Sequence, residues 1–378
     1  MKILILSVSA GAGHVRAAQA VESAMRERHP GVEIRNIDAM DYVPAPFRRL
    51  YTRGYVSMVN SAPALWGYLY ELAEHSSARA NRFAAAMQRL QAPRLFRFIK
   101  QFAPDRIVCT HFFLPQILAS SLKNGSWTIP LDVVVTDYDI HAVWIEPGVS
   151  RYYVAREALA YRLKSRGIPA EKIRVTGIPI HPDFLRKIDR SSVMKEMQLE
   201  EGKPVLLMMS GGLGMGPLVR SVEAISNLPH PLQIISVAGR NADLKAGIDA
   251  IRPANGCRIV SLGYANNMPE LLTVADIVAS KPGGLTTSEC LARGVALVAV
   301  SPIPGQEERN ADYLMENGAG LKAANTEDLE YKVLTLLGEP ERLRQMRDNA
   351  ARIARPRAAW DIADGVIADA SRAVAPSP

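Results

Sequence analysis

The sequence predicts an α/β protein made of two doubly wound domains that face each other across a cleft. Three observations carry this expectation. The chain has 378 residues, 48% of them hydrophobic, which is more than one ordinary core needs and enough for two. Short apolar runs alternate with amphipathic stretches along its length, the pattern of βαβ units around a parallel sheet. That series stops once, at a segment rich in proline and charge, and then begins again.

The first strand is ILILSV at 3–8, and the glycines of SAGAGH, Gly11 and Gly13, turn the chain into a helix with His14 in its first turn. Further strands follow at 107–110 (IVCT), 133–137 (VVVTD) and 152–155 (YYVA). The stretch 178–204, IPIHPDFLRKIDRSSVMKEMQLEEGKP, reads as a linker and places the boundary near residue 190, giving a first domain of 1–190. A second series of strands occupies 205–212, 232–239, 258–263, 276–284 and 296–302 within a second domain of 191–354. Pro356 interrupts a helical pattern just before a new one starts, so 355–378 is expected as a kinked C-terminal helix that crosses back to the first domain.

Composition removes several function classes. Cys109, Cys257 and Cys290 are scattered without CxxC spacing, which argues against a disulfide framework and a zinc site and suits a reducing cytoplasm. The apolar run at the N-terminus is too short for a signal peptide, and no stretch approaches the roughly 20 apolar residues needed to cross a bilayer. The net charge of +7 favours anionic partners. With no zinc-finger spacing, aromatic RNA-binding motif or dense basic helix, nucleic acid is not expected, and an anionic membrane surface or a nucleotide-sugar fits better.

Two segments carry chemistry. A neutral His14 at a helix start suits a general base for an acceptor hydroxyl, and Asp137, at the end of a later strand, is its rival. In the second half, SKPGGLTTSEC places Gly283 and Gly284 between a strand and a helix, where backbone amides of Leu285 and Thr286 can meet a diphosphate. Glu289 lies about one turn further on, within reach of a ribose diol. Gln306 and Glu307 follow a Pro-Gly turn and could read sugar hydroxyls, although such residues also serve as caps.

The order KPGG-T-x-E, strand, PGQE and N-x-x-Y is closely similar to diacylglycerol glycosyltransferases: the plant-type monogalactosyldiacylglycerol synthases and bacterial processive glucosyltransferases, relatives of the peptidoglycan lipid II N-acetylglucosaminyltransferase. SAGAGHVRAAQA, VVVTDYDIHAVW, TGIPIHPDF, MMSGGLGMGP, VAGRN and GYANNM follow in the family's order over nearly the whole chain. The resemblance implies two Rossmann-like domains of the GT-B type and an inverting hexose transfer from UDP-glucose or UDP-galactose to diacylglycerol, without a cofactor or essential bound metal. It implies Gly263, Tyr264 and Met268 around the uracil, and Gly283 to Thr286 at the diphosphate. Glu289 would meet the ribose, with Ser210, Gly211, Arg240 and Asn241 bordering the phosphates and sugar. Gln306 and Glu307 would contact the hexose, faced by Gly13 and His14. The family's first loop is commonly GGGH; here Ala12 adds a methyl group.

The acceptor side rests on aromatics beside cations: Phe47, Arg48, Tyr51 and Trp66 in one stretch, with Arg94, Arg97, Lys100, Phe96, Phe98 and Phe102 in another. His141 and Trp144 would line an acceptor wall, or else be a capped structural histidine and a core tryptophan. The expectation is an enzyme held peripherally on the cytoplasmic face of the membrane. A lipid II-type N-acetylglucosaminyltransferase, a non-hydrolysing UDP-sugar epimerase and a catalytically silent sensor are the alternatives.

Overall fold

The computed structural model describes residues 1–9, 11–49, 93–123, 129–146, 148–211 and 217–374, with isolated positions between 54 and 72. Met1–Pro182 and Pro356–Pro378 form one compact unit and Asp183–Arg355 a second. Each is built on a six-stranded sheet in which every pairing is parallel.

In the first unit the strands are β1 (Lys2–Ser7), β2 (Glu33–Asp38), β3 (Arg106–Cys109), β4 (Leu131–Val134), β5 (Arg151–Val154) and β6 (Ile173–Val175), in the order β2-β1-β3-β4-β5-β6. Central strands of a parallel sheet are covered on both faces, which is why β1 reads as an unbroken apolar run and buries Ile3 to Leu6 completely. Helices α1 (Ala12–Arg28), α2 (Pro93–Phe102), α3 (Phe113–Lys123) and α4 (Glu157–Ser165) connect them. The inward face of α1 is Ala17, Ala18, Ala20, Val21, Ala24 and Met25, mostly small side chains that let the helix lie close to the sheet.

The second unit carries β7 (Val205–Met209), β8 (Gln233–Val237), β9 (Arg258–Leu262), β10 (Ile277–Ser280), β11 (Ala296–Val300) and β12 (Gly320–Ala323), ordered β12-β11-β10-β7-β8-β9. Its helices are α5 (Arg190–Glu196), α6 (Leu218–Ser226), α7 (Ala242–Asp249), α8 (Met268–Val274), α9 (Gly284–Ala292), α10 (Gln306–Glu316), α11 (Thr326–Gly338) and α12 (Pro340–Ile353). Asp189, Asn241 and Asn325 cap α5, α7 and α11 through their side-chain oxygens, so the local sequence sets where these helices start. The core is aliphatic, with Val222, Ile225, Ile234, Val298, Val333 and Leu336 fully buried.

The division between the units lies at 182/183, ahead of the boundary expected at 190. Arg186 already pairs with Glu270 at 2.9 Å, and Arg190 holds Asp276 at 3.1 Å, so the segment before and into α5 packs on the second unit. The kink expected at Pro356 is a four-residue interruption between α12 and α13 (Ala358–Val374). Helix α13 belongs to the first unit, where Ala359, Ile362, Ala363, Val366 and Ala370 join Ile3, Ile5, Val21, Met25 and Val108 in one core. A methyl group on Gly365 would lie 2.8 Å from Arg174 Nη1 and 2.9 Å from the Tyr153 hydroxyl, so a larger residue here would have to displace these side chains. Beside it, Asp369 takes Arg151 at 2.6 Å, Arg174 at 3.2 Å and Arg106 at 3.7 Å, while Arg106 also grips the buried Asp132 in a bidentate pair at 2.6 and 2.8 Å.

Both sheets have a point where strand order reverses, β1 against β3 in the first unit and β7 against β10 in the second. Ligands of open α/β sheets bind outside the carboxyl ends of strands at such points. Among the described residues no helix is long and apolar enough to cross a membrane.

Candidate active site

At the reversal point of the first sheet, the chain leaves β1 and enters α1 through Gly11, whose backbone is extended. His14 is the third residue of that helix. Its Nδ1 lies 2.8 Å from the carbonyl oxygen of Thr110, the residue just beyond β3, and Thr110 Oγ1 returns a bond to the His14 carbonyl at 2.9 Å. A carbonyl oxygen only accepts, so Nδ1 carries the hydrogen and Nε2 keeps its lone pair. Burial holds the imidazole at a pKa of about 4, against the opposing pull of the Thr110 bond. The side chain is therefore neutral and able to accept a proton at physiological pH. Ala12, the departure from GGGH, is exposed, so its methyl group is accommodated.

Around His14 stand other rings. His111 meets it edge-on with centroids 4.4 Å apart, and Trp144 lies at 6.3 Å. His111 is buried, and its Nδ1 accepts the Phe113 amide at 3.0 Å; burial, then the neighbouring His14, push its pKa well down. Trp144 is buried against Phe112, with ring centroids 5.8 Å apart. His141 is buried too and caps the short turn Ala142–Trp144, its Nδ1 accepting Val143 N at 3.2 Å, so it fixes the segment that presents Trp144. Asp137 is half-buried and follows Thr136, whose Oγ1 is 3.0 Å from His14 Nδ1. Phe47 is half-buried 6.2 Å from Phe113, and the exposed Arg48 pairs with Asp41 at 2.8 Å. Tyr51 and Trp66 lie outside the described residues.

The second sheet's reversal point gathers the other set. Helix α9 begins after Gly283 with no side-chain cap and no acidic residue in its first turn, which leaves the positive end of its dipole and the amides of Gly284, Leu285 and Thr286 without a capping side chain, an arrangement chemically suited to an anion. Lys281 and Ser210 line a cavity of about 40 Å³ with Ser301, Asn325 and Thr326, bounded by α6 and α11 and lined by no residue of the α9 start. Ser210 is buried at the end of β7 and its hydroxyl has no hydrogen-bond partner among the described residues, and Gly211 beside it takes a left-handed φ of 75°. The PGQE turn folds against this helix start. Glu307 is buried with Oε2 accepting the Ile303 amide at 2.7 Å, and a methyl group on Gly283 would stand 3.7 Å from its Oε1. Burial raises the Glu307 carboxyl, opposed by the Ile303 amide and by Lys281. Gln306, half-buried, opens α10.

Glu289 is only 3% exposed, so it is a buried carboxylate rather than a solvated helix charge. After β9, the exposed Tyr264 ring receives the Arg240 guanidinium 5.0 Å from its centroid, and a methyl group on Gly263 would stand 3.8 Å from the Gly239 carbonyl oxygen. Asn241 is engaged as the cap of α7, accepting Leu244 N at 3.0 Å, and the buried Met268 opens α8. Sequence reasoning missed Thr110, His111 and Thr136. Their signal is polar residues at the carboxyl ends of β3 and β4, beside the strand that leads to His14. Among the described residues no cluster of three or more His, Cys, Asp or Glu is placed to hold a metal ion.

Residues 14–180 match the family model of monogalactosyldiacylglycerol (MGDG) synthase, and residues 206–362 match the glycosyltransferase family 28 C-terminal domain. A processive diacylglycerol beta-glucosyltransferase of Bacillus pumilus is 29% identical over 92% of this chain and 90% of its own. Among solved structures, Acinetobacter baumannii MurG superposes with a TM-score of 0.61 at 18% identity, covering 97% of this chain and 99% of that one. Anabaena HepE, in complex with UDP and glucose, gives 0.60 at 16% identity, covering 99% and 100%. These two likenesses show a GT-B fold.

Proposed function

The chain belongs to the family of monogalactosyldiacylglycerol synthases and processive diacylglycerol glucosyltransferases, and on that premise we propose that it transfers a hexose from a UDP-sugar to diacylglycerol. The observation that carries the reading is His14, the first residue of the matched synthase segment, a neutral imidazole whose Nδ1 donates and whose Nε2 is left to accept. As the diacylglycerol hydroxyl oxygen attacks the anomeric carbon from the face opposite the nucleotide, Nε2 takes its proton, the bond to the UDP oxygen breaks and the configuration inverts.

The departing diphosphate is met by the amides at the start of α9 and by Lys281, and no bound metal or cofactor is invoked. Ser210, Gly211, Arg240 and Asn241 border the phosphates, Glu289 the ribose, Gly263, Tyr264 and Met268 the uracil, and Gln306 and Glu307 the hexose. Helix α2 supports peripheral docking on the cytoplasmic face, because it buries Leu95 and Ile99 while exposing Arg94, Arg97 and Lys100 to anionic headgroups. Leu65, Tyr68 and Leu72, exposed helical positions spaced for one face, add apolar contact.

The test incubates the protein with UDP-glucose or UDP-galactose and diacylglycerol in anionic vesicles, and resolves the lipid products by mass. A hexosylated diacylglycerol from one donor is the expected result and names the sugar. A nucleotide-sugar left untouched or epimerised, with no lipid product, overturns the reading.

A further inference from the structure

We propose that Thr136 is a positioning residue for the base: its hydroxyl and the Thr110 carbonyl together grip Nδ1 of His14, an uncharged clamp at the place a carboxylate holds in a Ser-His-Asp arrangement. This rests on the reading of His14 as the base.

The two oxygens lie 2.8 and 3.0 Å from the same ring nitrogen. A nitrogen that donates its in-plane hydrogen to a carbonyl has no lone pair left to accept one, so the Thr136 hydroxyl accepts as well and the hydrogen is shared between two oxygens. The oxygens come from beyond the ends of two different strands, β3 and β4, and a third tie, Thr110 Oγ1 to the His14 carbonyl, fixes the backbone of the same residue. Thr110 and Thr136 are 0% and 3% exposed. The tautomer is thus set by the Thr110 carbonyl, and the ring tilt from two strands together. When Nε2 takes the acceptor proton, the positive charge reaches the Nδ1 hydrogen, where both oxygens stabilise it. A valine at 136 has nearly the same volume but leaves a single acceptor and a ring that can rock.

The experiment measures kinetics of Thr136→Val, Thr136→Ser and His14→Ala, together with ring-nitrogen NMR of the full-length protein labelled with 15N-histidine; the resonance lost in His14→Ala identifies the base. Losing one hydrogen bond to the reacting ring predicts a fall in kcat of roughly 10-fold in Thr136→Val with the KM for the UDP-sugar unchanged. Thr136→Ser recovers most of that rate. The hydrogen resides on Nδ1 in the unsubstituted protein and stays there in Thr136→Val, held by the Thr110 carbonyl, while the Nδ1 resonance shifts as one of its two acceptors is lost. A role confined to packing would alter thermal stability without this split between kcat and KM. A hydrogen on Nε2 in the unsubstituted protein overturns the proposal, as does an unchanged kcat and Nδ1 resonance in Thr136→Val. If His14→Ala retains full turnover, the base reading itself falls; if His14→Ala is inactive while Thr136→Val is fully active, only the clamp falls.

Discussion

His14 owes its neutrality chiefly to burial, and this sets how transfer responds to acid. An exposed histidine would lose its proton-accepting form below about pH 6.5. Here kcat/KM is expected to hold its plateau through that range and fall only as pH drops toward about 4, a profile readable in buffered vesicle assays. The same depression makes the unfolded chain the better proton binder between the two values. This residue's contribution to stability is therefore intact above about pH 6.5 and lost as pH falls toward 4. His14 was legible in the sequence because one strand, a glycine turn and a helix start are local features. Its companions were not, because positions 14, 110 and 136 become neighbours only through the strand order β1-β3-β4. Glu289 shows the same limit: its place on a helix could be read, but its burial depends on what packs over that helix.

Helix α13 is held by charge as well as by apolar packing. Ile362 and Val366 are fully buried, each worth about 1.5–3 kcal/mol against exposure. Asp369 accepts hydrogen bonds from Arg151 and Arg174 and pairs with Arg106 at 3.7 Å in the same contact. Neutralising it in Asp369→Asn leaves Arg106, Arg151 and Arg174 with less compensation, and removing one member of a buried charge group costs about 3–5 kcal/mol. Urea unfolding should report a loss of that order in the first unit, while UDP binding by the second unit stays unchanged. The helix and its break at Pro356 were readable from periodicity and one proline. Asp369 reads in sequence as an ordinary polar position of an amphipathic helix, because nothing local tells that Arg106, Arg151 and Arg174 converge on it.

At the scale of the whole molecule, the doubly wound architecture was legible from the repeated strand pattern, including the restart after residue 204. Strand order was not, and it is strand order that puts both candidate half-sites at reversal points. Because α13 supplies part of the first unit's core, a chain stopped after Arg355 should keep the second unit's calorimetric transition and its UDP binding, yet lose the first unit's transition and all transfer. The second unit is continuous in sequence, whereas the first is closed only by residues that come after it. A ribosome delivers these segments in order, so the second unit can complete itself on the nascent chain while the unit bearing His14 waits for α13 to emerge. The unit that carries His14 is thus completed after the other one.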